Sequence, residues 1–119
     1  MYNPVATYRI QFCKEFSFGD FEKVIPYLQK LGVSTIYASP VFESVSGSAH
    51  GYDVLNAHRI NPEIGDKEQM ETIIRHLQQN KVGWLQDIVP NHMAYHPGNE
   101  WLMDVLEKGK HSPYAPFFD

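Results

Sequence analysis

Short apolar segments alternate with amphipathic helical patterns along this chain, which is the order of βα units and predicts a parallel sheet. Apolar alternation predicts strands near residues 7–12, 33–39 and 82–89, and apolar spacing predicts helices near 18–31 and 67–80. Between the second strand and the second helix, residues 41–65 are rich in Ser, Gly and His, and we expect a structureless, functional loop there. A third helix is predicted from Asn99 to Gly109.

Composition narrows the class of protein. The 119 residues are 43% hydrophobic, which is enough for the packed core of one small domain. Net charge is −4 with dispersed Lys and Arg, so we expect neither nucleic acid nor an anionic membrane surface as a partner. No apolar run approaches the roughly 20 residues of a membrane span. The single cysteine, Cys13, and a start without signal-peptide features favour the cytoplasm.

The run from Leu85 to His92 carries the strongest functional signal. An apolar strand ends abruptly at Asp87, and Pro90, Asn91 and His92 follow. In a parallel α/β barrel, polar groups at the carboxyl end of a strand face the active site. The plainer alternative is that Asp87 orders the loop, Asn91 bonds the backbone and His92 is a satisfied histidine. The spacing of these residues at a strand end favours a binding site.

The loop after the second predicted strand contains a second cluster, His50-Gly51-Tyr52-Asp53. A sugar ring has an apolar C–H face that stacks on aromatic rings, and hydroxyls that need fixed polar partners. Tyr52 supplies the ring, while His50 and Asp53 supply polar contacts, and Gly51 lets the backbone approach closely. The alternative is a mobile polar loop with one anchoring tyrosine.

Other chemistries have weaker support. His92 and His96 have i,i+4 spacing, but prolines flank the pair and no HExxH run or Cys pair accompanies it, so no metal or cofactor is predicted. No Gly-rich phosphate loop occurs. Five further aromatic residues are predicted to be core rather than ligand-binding platforms: Trp84, Trp101, Tyr114, Phe117 and Phe118.

Several runs of the sequence, in this order, resemble the α-amylase family of glycoside hydrolases and transglycosylases. They are Tyr8-Arg9-Ile10-Gln11, Tyr37-Ala38-Ser39-Pro40, His50-Gly51-Tyr52-Asp53, Ile60 to Gly65 and Leu85 to His92. Within that family, Ala38-Ser39-Pro40, Gln86 and Met93-Ala94-Tyr95 are most similar to the trehalose-forming intramolecular transglycosylases.

The resemblance implies an α/β fold: a partial (β/α)8 TIM barrel comprising the first three βα units, with a long loop after strand two. Residues 1–119 would be the amino-terminal part of the catalytic barrel domain, since a whole barrel needs roughly 250 residues. Asp87 would brace an arginine near the nucleophile. His92 would bond the 6-hydroxyl of a glucose, and Tyr52 would stack on that glucose. Asn91, which we group with the substrate-binding residues, matches a position that is structural in most members and a calcium ligand in some amylases.

The substrate implied is a maltooligosaccharide, whose reducing-end α-1,4 linkage would become α,α-1,1. The nucleophile and general acid of the family follow strands four and five, so no catalytic residue is expected in this segment, Asp87 and His92 support catalysis, and the segment alone should be inactive. The open alternatives are an α-amylase or 4-α-glucanotransferase segment, and a non-catalytic carbohydrate-binding domain.

The truncated sheet predicts self-association of the segment. Without barrel neighbours, an inner sheet face would expose apolar side chains, which we expect on Ile10, Phe12, Ile36, Trp84 and Ile88. Residues 112–119 are predicted to be an extended tail, whose aromatic part from Tyr114 to Phe118 contributes to the contact.

Overall fold

A three-stranded parallel sheet organises the chain. The computed structural model describes residues 3–118, so Met1, Tyr2 and Asp119, the ends of the predicted segment, lie outside the described residues. The strands are β1 (Thr7–Ile10), β2 (Thr35–Ala38) and β5 (Gly83–Gln86), in the order β1-β2-β5. Both pairings are parallel. The three predicted strands are confirmed, and each is shorter than predicted.

The helices begin and end where their capping residues predict. They are α1 (Phe18–Lys30), α2 (Lys67–Gln79) and α3 (Glu100–Lys108). Ser17 with Asp20, and Asp66 with Gln69, form reciprocal capping boxes that satisfy the first backbone N–H groups of α1 and α2. Gly32, just after α1, has φ +84°, a conformation that glycine adopts without steric cost.

None of the helices in residues 3–118 is both long enough and apolar enough to cross a membrane. The longest, α1 and α2, have 13 residues each, whereas a span needs about 20.

The core lies between one face of the sheet and the helices. Its fully buried members include Phe18, Phe21 and Ile25 of α1, and Ile73 and Leu77 of α2. The aromatic rings of the core meet edge to face, as Phe12 does with Phe18 and Phe21. This cluster fixes the sheet against its helices and leaves the opposite sheet face uncovered.

The predicted set of exposed apolar side chains is largely wrong. Ile10, Phe12 and Ile36 are buried, and Trp84 is half-buried against Phe12. Residues paired across a parallel sheet share a face, so Ile36 and Trp84 lie on the helix side together. Of the five, only Ile88 is exposed, at 57%. The open face carries another row, formed by Arg9, Tyr37 and Leu85.

The prediction of a structureless loop over residues 41–65 is also wrong. The segment contains β3 (Phe42–Ser44) and β4 (Val54–Ile60), which pair antiparallel with two irregularities of register. Ser44 and Val54 are paired and buried, and the side-chain amide of Asn61 donates to the Ser44 hydroxyl at 3.0 Å. This hairpin fixes both ends of the predicted sugar-binding loop.

The tail is not extended as predicted. It contains a 3₁₀ turn, Ala115–Phe117, and follows a second one, Gly109–His111, at the end of α3. Tyr114 stacks on Trp101 of α3 with ring centroids 5.0 Å apart, and the Phe117 ring lies 4.9 Å from the same tryptophan. The tail therefore covers part of α3, although Phe117 stays 67% exposed.

Candidate functional site

The candidate site lies at the carboxyl edge of the parallel sheet, on the face that the helices leave open. Arg9 and Tyr37 are paired across β1 and β2 and share that face. Asp87 follows β5 directly, and its backbone N–H donates to the Ala38 carbonyl at 2.9 Å, which continues the pairing with β2. Because Asp87 is two residues beyond Leu85, its carboxylate lies on the same face as Arg9 and Tyr37.

Asp87 is the centre of a hydrogen-bonded cluster. Its Oδ2 accepts from Tyr52 Oη at 2.5 Å, from Arg9 Nη1 at 3.1 Å and from Tyr37 Oη at 3.4 Å. The Arg9 guanidinium also donates through Nη2 to Tyr52 Oη at 3.0 Å. It lies 4.4 Å from the centroid of the Tyr37 ring, a cation–π contact. The Asp87 side chain is only 15% exposed.

This arrangement moves the pKa values of Asp87 and Tyr52 in opposite directions. The hydrogen bond from Tyr52, followed by that from Arg9, lowers the pKa of Asp87, while partial burial opposes the shift. The same bond to Asp87 raises the pKa of Tyr52, and Arg9 opposes that change. At neutral pH the carboxylate is therefore ionised and the phenol protonated, which is the state in which Tyr52 donates to Asp87.

The loop that carries Tyr52 is ordered by its own polar side chains. The backbone N–H of Tyr52 donates to His50 Nδ1 at 3.0 Å, and the two rings stack with centroids 5.9 Å apart. Asp53 Oδ1 accepts from Ser48 Oγ at 2.5 Å and lies 3.8 Å from His50 Nδ1. The predicted polar groups of this loop therefore surround Tyr52.

Gly51 allows this loop to pass close to the end of β2. Its φ is +76°, and a Cβ at this position would lie 2.8 Å from the Pro40 carbonyl oxygen. Any other residue would meet both backbone strain and a backbone clash. The close approach that the sequence predicts at Gly51 is therefore present.

The second predicted pair, Asn91 and His92, lies further along the chain after β5. Both residues are exposed, and His92 Nδ1 lies 3.1 Å from Asn91 Oδ1. Within residues 3–118, no hydrogen bond joins His92 to Tyr52 or Asp87, so the predicted cluster is only partly assembled. His92 instead lines a cavity of about 450 Å³, whose other walls include Tyr95, Trp101 and Phe117.

The histidine pair of the sequence analysis does not converge on an ion. His96 Nδ1 accepts from the backbone N–H of Gly98 at 3.0 Å, while His92 contacts Asn91. Among the described residues, no group of three His, Cys, Asp or Glu side chains is placed to hold a metal.

Sequence reasoning missed Arg9, Tyr37 and Gln11 as members of the site. Gln11 Nε2 donates to the backbone carbonyls of Ala49 and His50, at 3.2 and 3.1 Å. One signal was available in the sequence. Arg9 and Gln11 alternate with Ile10 and Phe12, so a charged and a polar residue share one face of a predicted strand.

Comparison with known proteins agrees with this geometry. The sequence model of the α-amylase catalytic domain matches residues 14–119. The chain belongs to the α-amylase family. The family match includes the loop with Tyr52, the strand end with Asp87, and Asn91 and His92, whereas Arg9 and Gln11 lie before it.

Members of the α-amylase family that match the chain include trehalose-forming enzymes. A putative maltooligosyl trehalose synthase of Mycobacterium tuberculosis is 38% identical over 97% of the chain, and a cyclomaltodextrinase of Geobacillus thermopakistaniensis is 34% identical over 84%. A crystal structure of a maltooligosyl trehalose synthase superposes with a TM-score of 0.95, at 46% identity over 98% of the chain. The chain spans 16% of both synthases and 17% of the cyclomaltodextrinase.

Proposed function

We propose that residues 1–119 form the first three βα units of a catalytic (β/α)8 barrel domain, in an intramolecular transglycosylase that acts on maltooligosaccharides. The enzyme would convert the reducing-end α-1,4 linkage to α,α-1,1, as a maltooligosyl trehalose synthase. Two observations support the fold: the parallel order β1-β2-β5, and a core confined to one sheet face. The higher identity to synthases than to the cyclomaltodextrinase supports this activity over an ordinary amylase.

The observation that carries the proposal is the hydrogen bond between Tyr52 and Asp87 at the carboxyl edge of the sheet. Active sites of α/β barrels lie at that edge. The bond holds the Tyr52 ring at the open sheet face, where a glucose ring can stack on it. His50 and Asp53 beside Tyr52, and Asn91 and His92 in the next loop, would bind the sugar hydroxyls.

The reaction requires two carboxyl groups, one that attacks the anomeric carbon and one that protonates the leaving oxygen. Asp87 is a weak nucleophile because the donors Arg9, Tyr37 and Tyr52 share its Oδ2, draw charge from the carboxylate and hold it in place. We assign it, with His92, a supporting role, and we place the nucleophile and general acid on other parts of the natural polypeptide. The released glucose must stay and attack through its own 1-hydroxyl, which requires a pocket that excludes water.

We also propose a cellular location and a mode of assembly, each on its own observation. The single cysteine, Cys13, is a free thiol, which favours a reducing compartment such as the cytoplasm. Self-association of the 119-residue chain would use the exposed side chains of Leu85 and Ile88, beside the open sheet face.

The test uses the natural polypeptide that contains this sequence, incubated with maltopentaose. A trehalose-forming enzyme removes reducing ends without shortening the oligosaccharide. An amylase increases the number of reducing ends, and a carbohydrate-binding domain changes neither quantity.

The matched control is maltopentaitol, whose reducing end has been reduced to an alditol. A synthase leaves it unchanged because the 1-hydroxyl of a terminal glucose is no longer present, whereas an amylase still cleaves it. Gain of reducing ends from either substrate would refute the proposed activity.

A further inference from the structure

Arg9 in β1 and Gln11 just after β1 reach across the open sheet face to the loop 48–53. They are two positions apart and therefore point to the same side of the extended chain. Arg9 contacts Tyr52 and Asp87, and Gln11 contacts the backbone at 49–50. Neither has a role in the function proposed above.

Arg9 joins the loop to the strand end through one planar group. Nη1 donates to Asp87 and Nη2 donates to Tyr52 Oη, so the guanidinium spans the two ends of the Tyr52–Asp87 bond. Stacking over Tyr37 fixes the plane of the guanidinium. A lysine keeps the charge at this position but cannot reproduce that planar, two-pronged geometry.

Gln11 holds the same loop at a different point. Its side-chain amide donates to two successive carbonyls, those of Ala49 and His50, just before Tyr52. The internal bonds of the loop, such as that between Ser48 and Asp53, give it a shape but do not attach it to the sheet. Attachment to β1 comes from Arg9 on the Tyr52 side chain and from Gln11 on the backbone.

We propose that Arg9 and Gln11 are positioning residues, which fix the loop 48–53 on the sheet so that Tyr52 presents its ring to a glucose unit. This inference rests on the proposed function for the identity of the sugar. The attachment itself rests on three hydrogen bonds to the loop, one from Arg9 and two from Gln11, and on the fourth bond, which holds Arg9 to Asp87.

The first measurement follows the pKa of Tyr52, by ¹³Cζ NMR titration of the chain labelled at tyrosine. The bond to Asp87 is the largest influence on this pKa and raises it above the ordinary value. Gln11→Met should loosen that bond and bring the pKa of Tyr52 back toward about 10. Arg9 itself lowers this pKa, so Arg9→Lys is assessed by the second measurement instead. Arg75→Lys and Gln78→Met, at exposed positions of α2, are matched controls and should leave it unchanged.

Circular dichroism and the other tyrosine signals show whether each variant is folded. A Gln11→Met variant that loses stability while the pKa of Tyr52 stays at the wild-type value has only a structural role, and that result would overturn the inference. If Arg9→Lys does not fold, Gln11→Met tests the same attachment independently.

The second measurement is calorimetric binding of maltopentaitol, which the proposed enzyme leaves unchanged, to the natural polypeptide. We expect Arg9→Lys to weaken binding roughly tenfold and Gln11→Met about threefold, the range expected for one or two lost hydrogen bonds. If both variants bind with the affinity of the wild type, the positioning role is refuted. A wild-type protein that binds no maltopentaitol, with the pKa of Tyr52 responding as expected, refutes the proposed function while the attachment stands.

Discussion

Replacing Tyr52 with Phe removes one hydroxyl and keeps the ring, so it measures the central bond of the site. The hydroxyl donates to Asp87 at 2.5 Å and accepts from Arg9 at 3.0 Å. A hydrogen bond to a charged group contributes about 1.5–3 kcal/mol when buried. The Arg9 side chain is 35% exposed, and the Arg9–Asp87 ion pair survives the substitution, so we expect a loss of about 1–2 kcal/mol in the free energy of unfolding.

A double-mutant cycle with Asp87→Asn isolates the interaction between the two side chains. We measure the free energy of unfolding by urea titration for the wild type, each single variant and the double variant. The coupling energy should be about 1 kcal/mol, because the pair is in direct contact and one partner is charged. Tyr27→Phe on α1 is the matched control, since its ring is 63% exposed, and it should change stability by less than about 0.5 kcal/mol.

The pH dependence of this cycle has a definite sign. The hydrogen bond from Tyr52 lowers the pKa of Asp87 in the folded state below its unfolded value of about 3.9. The ionised carboxylate therefore contributes its full stability above pH 4–5, and that contribution is lost as the pH falls through the folded pKa. The difference in the free energy of unfolding between the wild type and Asp87→Asn should be constant at about pH 5–7 and shrink below about pH 4. A coupling energy near zero at about pH 7, or one that grows on acidification, would refute this reasoning.

Three further predictions concern the loop, the neighbouring histidine and the open face. Gly51→Ala places a Cβ 2.8 Å from the Pro40 carbonyl oxygen at φ +76°, so urea titration should show a loss of about 2 kcal/mol or more, and a neutral result would contradict the close approach. In the natural polypeptide, His92→Ala should lower kcat roughly tenfold or more with little change in KM, because a bond to the 6-hydroxyl would tighten in the transition state; an unchanged kcat argues against that role. Sedimentation across a dilution series should show self-association of the 119-residue chain that Leu85→Ser weakens, whereas a monomer at every concentration contradicts it.

The sequence predicted the elements whose signals are local. Capping boxes at Ser17 and Asp66 fix the first turns of α1 and α2 from residues three positions apart, and the structure contains both. The three strands of the parallel sheet were predicted for the same reason, because the apolar pattern of each lies within its own few residues. Tyr52 and Asp87 were predicted as site residues because each lies in a short motif, and the hydrogen bond between them shows that the two motifs meet.

The features that sequence reasoning missed depend on distant partners. Arg9 bonds Asp87 from 78 positions away along the chain, and nothing local to β1 specifies that partner. The pairing of β3 with β4 contains irregular register, which blurs the alternation that marks a strand. On β2 and β5 the exposed face was misassigned because strands of a parallel sheet can be apolar on both sides, so Ile36 and Leu85 look alike in sequence although only Leu85 is exposed. On β1 the alternation of Arg9 with Ile10 did mark the face and was not used.

The most direct test of the account is a crystal structure of the natural polypeptide with maltopentaitol, the unreactive analogue, bound. The account predicts that one glucose ring stacks on Tyr52, that a hydroxyl of this glucose lies within hydrogen-bonding distance of His92, and that Asp87 keeps its bonds to Tyr52 and Arg9. Maltopentaitol bound elsewhere, for example in the cavity between His92, Trp101 and Phe117 with the Tyr52 ring uncovered, would contradict it.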